Sequence, residues 1–191
     1  ENTGLSEIEP FFLQSTALYG LEISHNPLFY IHDESFSGLG RSLWHLILSY
    51  NDLEDIPTNA LRYLQKLQSL DLSGNEISFI KPNSFRGLQN NLQTLILADN
   101  SLNTVTGEAS QGLPNLVTLD LSSNNLHEIS PDVFREQMNS LTRVILADNL
   151  LSEIPYRQVS MLKALKLLDL SKNQITSMKI FHDDQPVDVK L

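Results

Sequence analysis

Leu67-Gln68-Ser69-Leu70-Asp71-Leu72-Ser73-Gly74-Asn75-Glu76-Ile77 decides the fold, because its frame, L-x-x-[LV]-x-[LI]-x-x-N-x-[LI], runs through the chain seven times. The asparagines of the seven copies are Asn26, Asn51, Asn75, Asn100, Asn124, Asn149 and Asn173, and they recur every 24 or 25 residues in strict alternation. Alternating apolar residues such as Leu70 and Leu72 describe a short strand with one inward face. The asparagine that follows sits in a turn that the repeat forces into the interior. A buried amide needs hydrogen-bond partners, and stacked copies can satisfy one another by bonding the backbone of their own and the adjacent turn. Repetition at this period specifies a solenoid in which each unit buries its apolar face only by stacking on its neighbours.

Working outward, residues 1–191 are expected to form a single domain: seven full repeats from about 18 to 178, a partial repeat at 1–17 and an irregular tail at 179–191. The fold class is an α/β-type solenoid, with a parallel β-sheet on the concave face and an irregular or 3₁₀ convex side. The segment between strands is too short for much α-helix. Ten residues after each asparagine come Phe36, Leu61, Phe85, Ser110, Phe134 and Val159, and three further come Leu39, Leu64, Leu88, Leu113, Gln137 and Leu162. These close the convex side of the core, with Ala109 expected to stand in at the fourth unit and Met138 at the fifth.

The alternation of repeat lengths points to an ancestral unit of two repeats. Strands reading Leu70-Asp71-Leu72-Ser73, Leu119-Asp120-Leu121-Ser122 and Leu168-Asp169-Leu170-Ser171 alternate with Leu95-Ile96-Leu97-Ala98 and Val144-Ile145-Leu146-Ala147. Ile56-Pro57 and Ile154-Pro155 mark one parity, and Pro82-Asn83-Ser84-Phe85 and Pro131-Asp132-Val133-Phe134 the other.

The run from Leu67 to Leu88, L-x-x-L-x-L-x-x-N-x-L-x-x-I-x-x-x-x-F-x-x-L in outline, resembles the typical 24-residue class of leucine-rich repeats. That resemblance implies a leucine-rich repeat arc of the kind common in animal extracellular and cell-surface proteins. The strand words at Leu70 to Asn75, Leu95 to Asn100 and Leu119 to Asn124 are also similar to those of arthropod cell-surface adhesion proteins of the chaoptin and connectin kind. On this basis the expected location is extracellular or at the cell surface. Two features favour the cytoplasmic alternative: the chain has no cysteine, and none of its sixteen asparagines lies in an N-x-[ST] sequon. Leu5 and Ile8 occupy the places that Leu28 and Ile31 take one unit later, so the chain opens in mid-repeat and is expected to be a fragment of a longer array.

Function in such an arc belongs to the outward strand positions, the third and fifth of each frame. The fifth column reads Glu22, Ile47, Asp71, Ile96, Asp120, Ile145 and Asp169, so carboxylates alternate with isoleucines. With strands about 4.8 Å apart, like charges two strands apart lie roughly 9 to 10 Å from each other, near the screening length at physiological salt. Such a face suits a protein partner, isoleucines giving apolar contact and carboxylates meeting basic groups. The bland alternative is that each aspartate belongs to the repeat and bridges neighbouring coils. The variable positions of the first two repeats carry Tyr19, His25, Trp44, His45 and Tyr50, an aromatic cluster with the character of an interface hot spot. Packing of these rings along the strand edge is the competing reading.

An enzyme is not expected. The five histidines, His25, His32, His45, His127 and His182, show no metal-ligand spacing, cysteine is absent as nucleophile or zinc ligand, and Asp183-Asp184 beside His182 reads as a solvated charge run. No cofactor is implied. Thirteen Lys and Arg against 23 Asp and Glu give a net charge of −10, which disfavours phosphate backbones and anionic membranes. No apolar run approaches the roughly 20 residues that cross a bilayer, so no membrane insertion is expected of this segment. The partner is therefore expected to be a protein, a second copy of the chain included. The alternatives are an intracellular leucine-rich repeat scaffold and a structural spacer without its own ligand.

At the ends, Leu5, Ile8, Phe11, Phe12 and Leu13 are expected to fold over the first full strand as a lid. Beyond Met178 the frame fails at Asp183 and Pro186, leaving either a frayed tail or a strand with Val187, Val189 and Leu191 turned inward. An uncapped end would favour edge-to-edge self-association.

Overall fold

A computed structural model of the chain describes residues 1–109, 111–177 and 187–191. In chain order the elements are β1 (Glu7–Ile8), β2 (Gly20–Glu22), β3 (Tyr30–Ile31), β4 (His45–Ile47), α1 (Thr58–Leu61), β5 (Ser69–Asp71) and β6 (Thr94–Ile96). There follow β7 (Thr104–Val105), β8 (Thr118–Asp120), β9 (Glu128–Ile129), β10 (Arg143–Ile145), α2 (Tyr156–Val159), β11 (Leu167–Asp169) and β12 (Asp188–Lys190).

Eight of the strands make one parallel sheet in the order β12-β11-β10-β8-β6-β5-β4-β2. Its register is unbroken: Leu21, Leu46, Leu70, Leu95, Leu119, Val144, Leu168 and Val189 lie side by side along the sheet. In strands β4, β5, β6, β8 and β11 the middle residue is buried and its two neighbours are half-exposed. This is the two-residue alternation of a sheet with one face on the core. Register thus converts a sequence column into a spatial one.

The asparagine ladder takes the form that the repeat requires. Asn75 Nδ2 donates to the Leu72 carbonyl of its own coil and to the Leu48 carbonyl of the preceding one, both at 2.9 Å, while its Oδ1 accepts the Leu53 N–H at 3.1 Å. Asn100, Asn124 and Asn149 repeat the same bonds one coil further each time. A satisfied amide of this kind stitches each turn to the one before it.

A second regularity was not expected. The residue before each asparagine, namely His25, Tyr50, Gly74, Asp99, Ser123, Asp148 and Lys172, has φ between +52° and +64°. That twist aims its N–H at the carbonyl of the next coil, as from Tyr50 to Ser73 at 2.8 Å and from Asp99 to Ser122 at 2.9 Å. Only one of the seven is glycine, the residue that takes this conformation without steric cost.

The convex side is irregular, closed by single three-residue turns such as Leu39 N–H to the Phe36 carbonyl at 3.0 Å. One helical turn opens after each Ile-Pro pair, with Pro57 and Pro155 at the N-caps. Short parallel pairings, β1 with β3 and β7 with β9, bind the outer halves of other coils. Phe36, Leu61, Phe85, Phe134 and Val159 are buried, as is Ala109 at the fourth unit. Ser110 lies outside the described residues.

The fifth unit corrects the expectation for Met138. Gln137 holds the inward place and is 1% exposed, its Nε2 donating to the Leu113 carbonyl at 3.1 Å, while Met138 is only half-buried. The amide is accepted because the adjoining coil presents a backbone acceptor in reach.

The ends also differ from expectation. Residues 1–17 do not fold over β2 as a lid. Ile8 is fully buried through the pairing of β1 with β3, whereas Phe11 and Phe12 remain 51% and 48% exposed. The segment stacks beside the outer half of the first coil, so the two rings project past the core. At the other end a strand forms without the expected inward alternation: β12 pairs with β11, and Val187 packs against the core while Val189 and Leu191 stay exposed. Asp183, Pro186, and the run His182-Asp183-Asp184 lie outside the described residues.

Candidate recognition face

Parallel register places Glu22, Ile47, Asp71, Ile96, Asp120, Ile145 and Asp169 in a single row across the concave sheet. Asp71 and Asp120 do not bridge neighbouring coils, which corrects that reading for these two strand aspartates; each closes its own turn instead. Asp71 Oδ1 accepts the Ser73 N–H at 2.9 Å and its hydroxyl at 2.6 Å, and Asp120 binds Ser122 with the same two distances. Glu22, one methylene longer, accepts the Ser24 hydroxyl at 2.7 Å.

Asp169 alone adds a bond to another strand. Its Oδ1 holds Ser171, and its Oδ2 meets the Lys190 ammonium of β12 at 3.2 Å. Partial burial works to raise this carboxyl, but the bonds from Ser171 and the Lys190 ammonium outweigh it and hold the group below its ordinary range. The Glu22 carboxyl is lowered too, first by the Ser24 hydroxyl and then by Glu1.

The aromatic cluster resolves into two groups at opposite ends of β2 and β4. At the strand entrances Tyr19 stacks on Trp44 with centroids 5.8 Å apart and meets the edge of His45 at 5.1 Å, its hydroxyl 3.3 Å from His45 Nε2. Tyr19 is 62% exposed, and Trp44 and His45 are half-buried. At the strand exits His25 lies flat on Tyr50 with centroids 4.7 Å apart and an interplanar angle of 3°. The Tyr50 ring continues over Gly74, where an added Cβ would fall 2.4 Å from Tyr50 Cδ1. The rings do pack along the strand edges, and they also expose large flat surfaces.

Charge along this face is divided in a way the composition hides. The strand frames of the first five full repeats carry Glu22, Asp52, Asp71, Glu76, Asp99 and Asp120 and not one lysine or arginine. The basic residues of the frames, Arg143, Lys166 and Lys172, fall in the last two, next to Lys190 of β12.

One further polar grouping escaped the sequence reading. Glu7 and Glu9, flanking Ile8, meet His32 with Nε2–Oε2 distances of 3.5 and 3.9 Å, and His32 also packs edge-on against Tyr30. Donor atoms of these three side chains lie within 4.8 Å of one another, the one such grouping among the described residues. The signal was the one-unit match of Leu5 and Ile8 to Leu28 and Ile31. That match already places Glu7 and Glu9 beside Tyr30 and His32. Among the described residues no helix is long and apolar enough to cross a membrane.

The sheet, the asparagine ladder and the exposed strand columns together define a leucine-rich repeat arc. The family model described as "Leucine rich repeat" matches residues 16–77, 41–90 and 90–137, and the chain belongs to that family. It is similar to chaoptin of Drosophila melanogaster, 63% identical over 68 residues, which is 36% of this chain and 5% of chaoptin. Its fold is similar to that in the crystal structure of a TLR13–ssRNA13 complex, with a TM-score of 0.83 at 31% identity over 91% of this chain and 24% of that one. The chain thus spans a small part of both relatives.

Proposed function

We propose that this arc is a non-enzymatic protein-recognition module whose partner sits on the concave face, as part of an adhesion or receptor protein at the cell surface. The observation that carries the reading is the unbroken register, which sets isoleucines and carboxylates in one half-exposed row beside two groups of exposed and half-exposed rings. Solenoids of this type use such extended concave surfaces for binding. Exposed rings with polar tips favour a recognition role over that of a spacer, because a spacer needs nothing on this face. The chaoptin likeness supports the cell-surface setting. A net charge of −10 favours a protein over a nucleic acid as the partner.

The test is to replace Ile47, Ile96 and Ile145 together with lysine. Retention of a protein partner from a membrane extract by the immobilised chain should be lost, while the circular-dichroism melt shifts by a few degrees at most, since all three side chains are outside the core. Retention at the original level would overturn the concave-face reading.

A further inference from the structure

Two features of the concave face recur with one period. Glu22, Asp71 and Asp120 stand two strands apart, hence about 9.6 Å from one to the next, and Ile47 and Ile96 fill the intervals with the same spacing. Serine occupies Oδ1 of Asp71 and of Asp120, so the second oxygen, Oδ2, is directed away from that turn. The fold itself shows what this oxygen takes, because in Asp169 the same atom binds the Lys190 ammonium at 3.2 Å. No lysine or arginine in the first five frames offers the row a cation, and the N-terminal ammonium acts on Glu22 at its edge, leaving Asp71 and Asp120 without one from these frames. Where the row begins, the Tyr19–Trp44 stack and His45 add an aromatic border.

We infer that the row from Glu22 to Asp120 binds a proline-rich basic segment in the polyproline II conformation, laid across the strands with a lysine or arginine at every third residue. The reasoning rests on the concave-face reading above and adds the chemistry of the occupant. A polyproline II helix turns once in three residues and rises about 3.1 Å per residue, so every third side chain returns to one line at about 9.3 Å. That interval matches the two-strand repeat. A β-strand ligand does not fit: side chains on one of its faces come about 6.6 to 7 Å apart and drift out of phase with the carboxylates within one step. Aromatic borders are the usual partners of proline rings, and the preformed helix pays little ordering entropy on binding. Three carboxylates would meet cations at residues i, i+3 and i+6, with prolines over Ile47 and Ile96.

The test uses the 191-residue chain and fluorescein-labelled (Pro-Pro-Arg)5, with anisotropy as the readout at 0.15 M salt. A control peptide, ten prolines followed by five arginines, keeps composition and charge but loses the spacing. The periodic peptide should bind at least about fivefold tighter than the control, and Asp71→Asn with Asp120→Asn should reduce its affinity about five- to tenfold. Asparagine still accepts the serine bonds, so the turns survive and only the charge is lost. Equal binding of the two peptides, or an unchanged affinity in the double variant, overturns the proposal. So does equal binding of (Pro-Pro-Glu)5, or a self-associated dimer that the double variant dissolves, either of which gives the face to another occupant. The concave-face reading fails separately: a partner lost on the isoleucine-to-lysine changes keeps that face even where the periodic peptide does not bind.

Discussion

Tyr50 holds its backbone at φ +53°, a conformation that costs an L-residue roughly 1 kcal/mol, and its counterparts in the other coils share it. The cost is tolerated because the twist delivers an N–H to the next coil and would otherwise leave a backbone group unpaired. Gly74 is where the arrangement is least forgiving. Gly74→Ala adds the left-handed cost and drives a methyl into the Tyr50 ring, so chemical denaturation should show a loss of about 2 kcal/mol. Part of that loss should return when Tyr50 is also shortened to alanine, and full additivity of the two changes would refute the contact. Ser123→Gly, at φ +52°, should instead stabilise by about 0.5 kcal/mol. The asparagines were legible from sequence because a polar residue in an apolar frame demands an explanation. The left-handed residues beside them were not, because tyrosine, serine and lysine carry no backbone signature, and only Gly74, Asp99, Asp148 and His25 are of types that favour that conformation.

Among the elements, β12 depends most on a single charge. Its Lys190 meets Asp169, whose folded carboxyl is held below its ordinary value of 3.8, so this contribution is complete at pH above that value. It is lost as pH falls below 3.8 and through the lower folded value. Methyl resonances of Val189, paired with Leu168, should therefore move toward unfolded positions in that acid range and stay constant above it. In Asp169→Asn the acid-dependent movement should vanish, and its persistence would assign the effect elsewhere. Strand positions were legible to the residue, since the frame leaves no freedom of register once leucines must face inward. The outer halves were less so. The pairing of β1 with β3 and the inward turn of Gln137 depend on which backbone groups lie opposite, one coil away, and no local pattern announces that.

For the whole molecule, what the sequence stated clearly was the arc, and what it stated only in part was the face. The isoleucine and carboxylate row followed directly from the repeat, whereas the separation of Tyr19, Trp44 and His45 from His25 and Tyr50 required knowing which end of the strand each ring leaves. Each asparagine joins its coil only to the coil before it, and each left-handed N–H only to the coil after it. Connections of this kind lie in series, like links rather than like a bundle. Drawn apart by its two ends, the arc should part coil by coil, each event releasing 24 or 25 residues and about 80 Å of chain. A force–extension trace with evenly spaced steps of that size is expected, and a single rupture of the entire array would show that the coils fail as one body.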